Sequence, residues 1–187
     1  MSVRKGSEMA ETIGIDEFRR AMRALPAQVC IIASRSDDLR IAMTATAVTS
    51  LSAEPPQLLI CVHHQSRTAA VIREARAFSV NLVPASLVDA ATQCALVGLE
   101  PEERFRVGRW QPSTSLEQPL LEDALVGFEC SLTSDARHGT HHVLTGLIHQ
   151  VRFSEGRPLL YHDASYREIG ARLDAIHLGW DTAIQGF

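Results

Sequence analysis

The 187-residue chain carries a formal net charge of −4, and its 45% hydrophobic content is sufficient for a packed core. A weakly acidic chain without clustered Lys and Arg argues against nucleic-acid binding. No run of about 18 apolar residues occurs, so we expect no membrane-spanning segment. We divide the chain into a loose N-terminus (1–12), one domain (13–170) and a C-terminal tail (171–187).

The first part of the domain is predicted to be a helix followed by three strands. Apolar residues at helical spacing follow Asp16, and Pro26 ends this pattern. Strands are predicted at 28–35, 40–51 and 57–63. Because their connections are short, we expect these strands to form an antiparallel meander.

Short helices and further strands are predicted in the rest of the domain. Ser66 is a candidate N-cap for a helix from Thr68 to about Arg76, and a second helix is expected from Ser86 to about Leu96. Strands are predicted at 78–83, 125–134, 141–153 and 159–162, with a loop at 98–120 and little regular structure after Tyr166. Since strands occur in consecutive groups, an antiparallel barrel or sandwich with a few helices is favoured over a doubly wound sheet.

The cysteines and histidines indicate neither a disulfide framework nor a metal site. The four cysteines are far apart and form no CxxC pair, so we interpret them as reduced thiols of a cytoplasmic protein. His138, His141 and His142 lie close together, but no HExxH motif or carboxylate at ligand spacing accompanies them, and no metal site is predicted. Motifs such as GxSxG, GxGxxG and the Walker loop do not occur.

Two neighbouring stretches suggest a ligand site. Thr44, Ala45, Thr46 and Ala47 carry only methyl groups and hydroxyls, so a planar heterocycle could approach this strand, although tight packing beneath a helix would also need small residues. The segment 64–68, His-Gln-Ser-Arg-Thr, offers two hydroxyls, a guanidinium and helix N–H groups, which suit a phosphate, or else form a capping motif with an exposed Arg. Together they suggest a phosphorylated heterocycle such as flavin mononucleotide (FMN).

The order of several sequence blocks resembles a known family. The blocks are FRRAMRALPAQVCIIAS, MTATAVTSLSAEPPQLLICV, SRT, FSVNLV, EERFRVGRWQ, PLLEDALVGFEC, GTHHVLTG and PLLYHDASYREI, and they run from about Phe18 to Tyr166. In this order the chain is similar to the flavin reductase family with the FMN-binding split-barrel fold, and especially to the reductase component of two-component flavin monooxygenases such as hydroxyphenylacetate monooxygenase.

This resemblance implies a fold and an activity. The expected fold is mostly β with a few helices, an antiparallel split β-barrel of Greek-key type, assembled as a homodimer with flavin near the subunit interface. The expected enzyme is an NAD(P)H:flavin reductase, which uses NADH or NADPH to reduce FMN or FAD. The reduced flavin would then pass to a flavin-dependent monooxygenase component.

The resemblance also implies roles for particular residues. The strand 44–47 would lie beside the flavin ring, with Asn81 near it, and the phosphate would contact Ser66, Arg67 and Thr68. Arg104 and Phe105 match a pair that can reach the phosphate region. His141 and Tyr166 would lie on the nicotinamide side, and no acid or base catalyst is expected. Thr140 stands where many relatives carry Asp, and the stretch with His142, Leu144 and Thr145 is often richer in aromatic residues, so the nicotinamide contacts stay open.

Other interpretations of these residues and of the function also stay open. Asn81 could be a polar strand residue, His141 a structural hydrogen-bonding residue, Tyr166 a residue at the core edge, and Arg104 a solvated side chain. Instead of a reductase, the chain could be an FMN protein that holds its flavin and acts on another substrate, or a non-enzymatic flavin- or haem-binding barrel. A barrel that oxidises pyridoxal phosphate would have more Arg and Lys at the phosphate than this chain offers.

Overall fold

The computed structural model describes residues 12–37 and 39–170, and the expected loose N-terminus and C-terminal tail lie almost wholly outside these ranges. Three α-helices are present in the described part: α1 (Ile15–Arg23), α2 (Arg67–Ala75) and α3 (Val88–Ala95). Short 3₁₀ turns occur at Ala85–Leu87 and Pro101–Phe105. None of the helices in the described ranges is long and apolar enough to cross a membrane.

Strands make up most of the remaining structure. They are β1 (Ala27–Gln28), β2 (Cys30–Ser36), β3 (Leu39–Ala45), β4 (Val48–Ala53), β5 (Pro56–His63), β6 (Ala77–Leu82), β7 (Trp110–Pro112), β8 (Pro119–Leu121), β9 (Val126–His138), β10 (His141–Phe153), β11 (Leu159–His162) and β12 (Ser165–Glu168). Seven of them form one sheet in the order β3-β2-β6-β9-β10-β5-β4, and every neighbouring pair is antiparallel. The expected antiparallel, mostly β architecture is therefore confirmed.

The predicted strand at 40–51 is wrong in one important respect, because it is two strands. β3 ends at Ala45 and β4 begins at Val48, and the two strands lie at opposite ends of the sheet order. The consecutive antiparallel pairings of the expected meander are present, since β2 pairs with β3 and β4 pairs with β5, but the middle strand is divided in two. Thr46 and Ala47 are exposed, so no side-chain packing keeps the strand continuous at this point. The Val48 N–H donates to the Thr46 carbonyl at 3.0 Å, which forms a local bend.

The segment 98–120, predicted to be a loop, contains regular structure as well. A capping box between Glu100 and Glu103 opens the 3₁₀ turn, and this turn ends at the buried Phe105. The Phe105 ring packs edge-on against Trp110 with the ring centroids 4.9 Å apart. β7 then pairs with β8. The sequence signal was weak here because each element has only three to five residues.

Two groups of buried apolar residues lie on the two faces of the sheet, and β2 contributes to both. Ile32 packs with Val62, Phe78 and Leu144 on one face, whereas Ile31 packs with Ala91 of α3 on the other. This division follows from the alternation of side chains along a strand. The sheet therefore presents one face to α3 and the other to α2, whose Ala69 and Ile72 belong to the second group.

Candidate functional site

A cavity of about 1300 Å³ opens between the end of β3, the start of α2, the chain after α3 and the β11–β12 hairpin. Pockets for small organic ligands commonly occupy roughly 300–1,000 Å³, so this cavity can hold a ligand with a large ring system. The predicted site residues that line it are Thr44, Ala45, Thr46, Ser66, Arg67, Thr68, Arg104 and Tyr166. The structure therefore brings both predicted stretches, the small-residue strand and the possible phosphate site, to one place.

The small-residue strand contributes to the cavity unevenly. Ala45 is half-buried and Thr46 is exposed, so both can contact a ligand. The Thr44 hydroxyl donates to the Ala91 carbonyl of α3, which anchors β3 to that helix. Ala47 does not line the cavity, and its carbonyl accepts a hydrogen bond from the Cys61 N–H. Thr44, Ala45 and Thr46 therefore border the cavity, with the Thr44 hydroxyl already hydrogen-bonded to the protein, and Ala47 does not.

The start of α2 forms what we call the helix corner, made of Ser66, Arg67 and Thr68. Ser66 is the N-cap, as predicted, and its Oγ accepts the Thr68 N–H at 3.1 Å. Thr68 is buried, whereas the Arg67 side chain is exposed and makes no hydrogen bond or ion pair with any other residue of the described ranges. Because no described residue occupies the Arg67 guanidinium, this group is available to bind a ligand.

The electrostatics of the helix corner favour an anion. The backbone N–H groups of Arg67 and Ala69 donate to no other residue among those described. No acidic residue stands in the first turn of α2 to satisfy the helix dipole, while Arg73 in the last turn complements its negative end. Unpaired N–H groups, the dipole and the Arg67 charge together suit a phosphate group.

Arg104 and Phe105, the pair that by resemblance can reach the phosphate region, lie in different surroundings. Arg104 lines the cavity, but its guanidinium donates to the carbonyls of Cys94, at 2.7 Å, and Leu96, at 2.9 Å. Phe105 lies in the core beneath Arg40, whose guanidinium carbon is 4.2 Å from the ring centroid. Phe105 is therefore a packing residue and does not line the cavity.

Asn81 lies in the core and does not line the cavity, and its expected position near the flavin stays a prediction. Its side-chain amide donates to the Ile31 carbonyl and to the Ser79 hydroxyl, each at 3.1 Å, and its oxygen accepts the Leu121 N–H at 2.9 Å. It is completely buried. These bonds tie β2, β6 and β8 together, which is the structural role that the sequence left open.

His141 lies at the tip of the β9–β10 hairpin, outside the cavity lining. Its Nδ1 atom is 2.9 Å from the Thr140 hydroxyl, and its ring is edge-on to His63 with centroids 5.3 Å apart. His63 does line the cavity, and it also stacks on His64. Desolvation first, and then the charges of Arg137 and the nearby histidines, lower the pKa of His64. His141 can therefore affect the cavity through His63.

Tyr166 lies on the opposite side of the cavity, on β12. Its ring packs edge-on against Tyr161 with centroids 5.6 Å apart, and burial raises the pKa of its hydroxyl. Both tyrosines line the cavity. Tyr166 is thus placed to contact a ligand, and its assignment to the nicotinamide side stays a prediction.

Sequence reasoning missed several lining residues. His63, Met43, Tyr161 and the exposed segment 96–100 all border the cavity. His63 precedes the His-Gln-Ser-Arg-Thr segment directly, so its position at the end of a strand was a usable signal. No pattern in the sequence distinguished the segment 96–100 or Tyr161, because only the tertiary structure brings them to this cavity.

Comparison with known sequences agrees with this geometry. Residues 22–170 match the model of the flavin reductase like domain. The chain is 37% identical over 161 residues to an FMN reductase (NADH) RutF from Variovorax paradoxus, with 83% of this chain and 86% of the relative covered. It is 36% identical over 155 residues to the reductase component of an FADH2-dependent resorcinol hydroxylase from Rhizobium sp., with 80% and 84% covered.

Solved structures show the same fold. The NADH:FAD oxidoreductase SgcE6 of Streptomyces globisporus, in complex with NAD and FAD fragments, superposes with a TM-score of 0.79 at 22% identity and covers 88% of this chain and 100% of its own. The styrene monooxygenase flavin reductase of Pseudomonas putida gives a TM-score of 0.75 at 18% identity, with 84% and 99% covered. These likenesses confirm the expected split-barrel fold, and the chain belongs to the flavin reductase like family.

Proposed function

We propose that this protein is an NAD(P)H-dependent flavin reductase that supplies reduced FMN or FAD to a partner monooxygenase. The single observation that carries this proposal is the cavity itself, in which a strand end of small residues lies beside an unneutralised helix N-terminus with an available guanidinium. A flat ring with a phosphorylated side chain satisfies both features. The relatives named above act on FMN or belong to an FADH2-dependent system, which supports the same conclusion.

The residues present fit a flavin on the evidence of their unused donors. The N–H groups of Arg67 and Ala69 have no acceptor in the described structure, and a terminal phosphate can provide one. When bound, flavin supplies the hydride acceptor of the reaction, and the electronic work is the cofactor's. The protein then has to bind the flavin, orient its ring and shield it from water.

The division of labour among the side chains follows from their positions. The helix corner fixes the anionic end of the ligand, and Ala45 and Thr46 allow close approach of a planar ring. Tyr161 and Tyr166 border the far side and, together with His63, restrict where a second ring can lie. Hydride transfer depends chiefly on this alignment, so the reaction needs no protein nucleophile.

We further propose a homodimer. Helix α1 was predicted from apolar periodicity, yet none of its residues is buried in the described structure. Ile15, Phe18, Met22 and Leu25 are between 42% and 60% exposed, and they form an apolar side that a second copy of the chain can cover. Sedimentation of the purified protein at micromolar concentration should give twice the chain mass. A Phe18→Glu variant should sediment as a monomer.

We also propose that the protein acts in the cytoplasm with a monooxygenase component. All four cysteines are unpaired, which is typical of a reducing compartment. The similarity to the reductase component of an FADH2-dependent resorcinol hydroxylase supports a partner of this kind.

Steady-state oxidation of NADH and NADPH, with FMN, FAD or riboflavin supplied in turn under air, tests the proposed activity. We expect saturable turnover with at least one flavin and one nicotinamide. Ultrafiltration then decides how the flavin is held, because a diffusible reductase should release reduced flavin into the filtrate. Absence of turnover with every pair would overturn the proposed activity, and a flavin retained after reduction would favour a protein with a resident cofactor.

A further inference from the structure

One part of the cavity wall has little packing of its own. We call residues 96–100, which connect α3 to the 3₁₀ turn, the rim loop, and all five of them line the cavity. Val97 is 97% exposed, Gly98 has a positive φ of 82° with open space where a side chain would be, and only Leu99 is half-buried. The shape of the rim loop must therefore be set by interactions at its two ends.

Arg104 provides the main interaction at the base of the rim loop. Its two terminal nitrogens donate to the carbonyls of Cys94 and Leu96, at the point where α3 ends. The last carbonyls of a helix have no partner within the helix, and a nearby Arg can satisfy them. The planar, forked guanidinium can hold two carbonyls at once, which an ammonium group cannot do with the same geometry.

Other hydrogen bonds close the same base. The Gln93 side chain of α3 donates to the Glu103 carbonyl at 3.0 Å, and the Cys94 thiol lies 3.5 Å from the Arg104 carbonyl. At the far end of the rim loop, the Glu100 N–H donates to the Glu103 side chain at 3.2 Å. The two ends are thus tied to each other, with Arg104 between them.

The charge of Arg104 is already partly satisfied by the protein. Its Nε atom is buried without a hydrogen-bond partner among the described residues, so a ligand in the cavity cannot reach that nitrogen in this arrangement. The other two nitrogens face helix carbonyls, which carry the negative end of the α3 dipole. Arg67 differs on each point, because it is exposed and has no partner in the described ranges.

We propose that Arg104 is a positioning residue that holds the rim loop in its ligand-ready shape and does not itself bind the phosphate. The effect on flavin binding rests on the proposed function. The structural role of Arg104 at the rim loop rests only on the hydrogen bonds described above. Arg104 then contributes equally to the binding of phosphorylated and unphosphorylated flavins.

The test compares Arg104→Lys and Arg104→Ala with Arg152→Ala. Arg152 is a charge-matched control because it is exposed on β10, does not line the cavity and has no side-chain partner in the described ranges. Affinities for FMN and riboflavin are measured by flavin fluorescence. We expect both Arg104 variants to weaken both flavins by a similar factor, on the order of five-fold, since binding must then order the rim loop again. Arg152→Ala should change neither affinity.

Hydrogen exchange of flavin-free protein gives a second measurement. Residues 96–100 should exchange faster in both Arg104 variants, while the β9–β10 hairpin, which serves as the reference for global stability, should not change. A loss specific to FMN that Arg104→Lys restores would overturn the inference, and so would unchanged exchange at 96–100 in both variants. If the unmodified protein binds no flavin, the proposed function fails, but the exchange measurement still decides the role of Arg104.

Discussion

The two sides of the cavity each carry an arginine, yet they use it in opposite ways. On the α2 side, the helix packs through Thr68, Ala69, Val71 and Ile72, so its start is held firmly without help from Arg67. On the α3 side, the rim loop is exposed and Arg104 is needed to close its base. A guanidinium is therefore available to a ligand only where nearby backbone carbonyls do not already accept its hydrogen bonds.

This difference shows why a basic residue near an anion site is not by itself an anion ligand. A guanidinium that satisfies the end of a helix would leave two carbonyls without partners if it turned toward a phosphate. The unsatisfied carbonyl of the buried Cys94 would cost about 1–3 kcal/mol, which offsets part of the gain from a new charged hydrogen bond, whereas the carbonyl of the exposed Leu96 could bind water instead. An exposed guanidinium beside free N–H groups has no such cost.

Arg67→Ala is the substitution with the largest expected effect on ligand affinity. Loss of the charged hydrogen bond should weaken FMN binding by about 1.5–3 kcal/mol, roughly 10- to 150-fold, while riboflavin binding stays close to normal. Titration of flavin fluorescence with both ligands measures this. Arg152→Ala, an exposed Arg on β10 away from the cavity, is the charge-matched control and should bind both flavins normally. Equal weakening of FMN and riboflavin by Arg67→Ala would show that Arg67 does not contact the phosphate.

Thr46→Leu tests the side of the cavity that accepts the ring. The larger side chain should occupy space beside Ala45 and weaken FMN and riboflavin alike, by about ten-fold, at little cost to folding because Thr46 is exposed. Thr49→Leu on β4, which is also exposed but does not line this cavity, is the control. Equilibrium binding together with thermal unfolding separates the two effects. Normal affinity in Thr46→Leu would place the ring elsewhere.

The rate of thiol labelling at Cys94 measures how often the structure at the end of α3 opens to solvent. Burial raises the pKa of Cys94 and of Cys30 to about 12, so both thiols stay protonated and should react slowly with a thiolate-selective reagent at pH 8. Arg104→Lys should increase the labelling rate of Cys94 a few-fold, because Cys94 lies at the base that Arg104 closes. Cys30, in the barrel, is the internal control and should keep its rate. Equal acceleration at both thiols would indicate general destabilisation.

Local sequence signals were sufficient for parts of the site and misleading for others. Ser66 before Arg67 and Thr68 predicted the helix start correctly, because an N-cap depends on hydrogen bonds within three residues. The stretch 40–51 looked like one strand because nothing in its composition marked the bend at Thr46. Asn81 gave no sign of its true partners, since the Leu121 N–H reaches it from a strand 40 residues later.

The sequence by itself determined the antiparallel β class, the family resemblance, the helix corner and the existence of a small-residue strand, because these depend on neighbours along the chain. Only the tertiary structure decided which polar groups are available to a ligand. In the fold, the side chains of Thr44, Asn81 and Arg104 donate to protein carbonyls. The Arg67 side chain has no partner in the described residues. Hydrogen-bond donors are satisfied by whatever the fold brings near them, and that proximity is not written in local spacing.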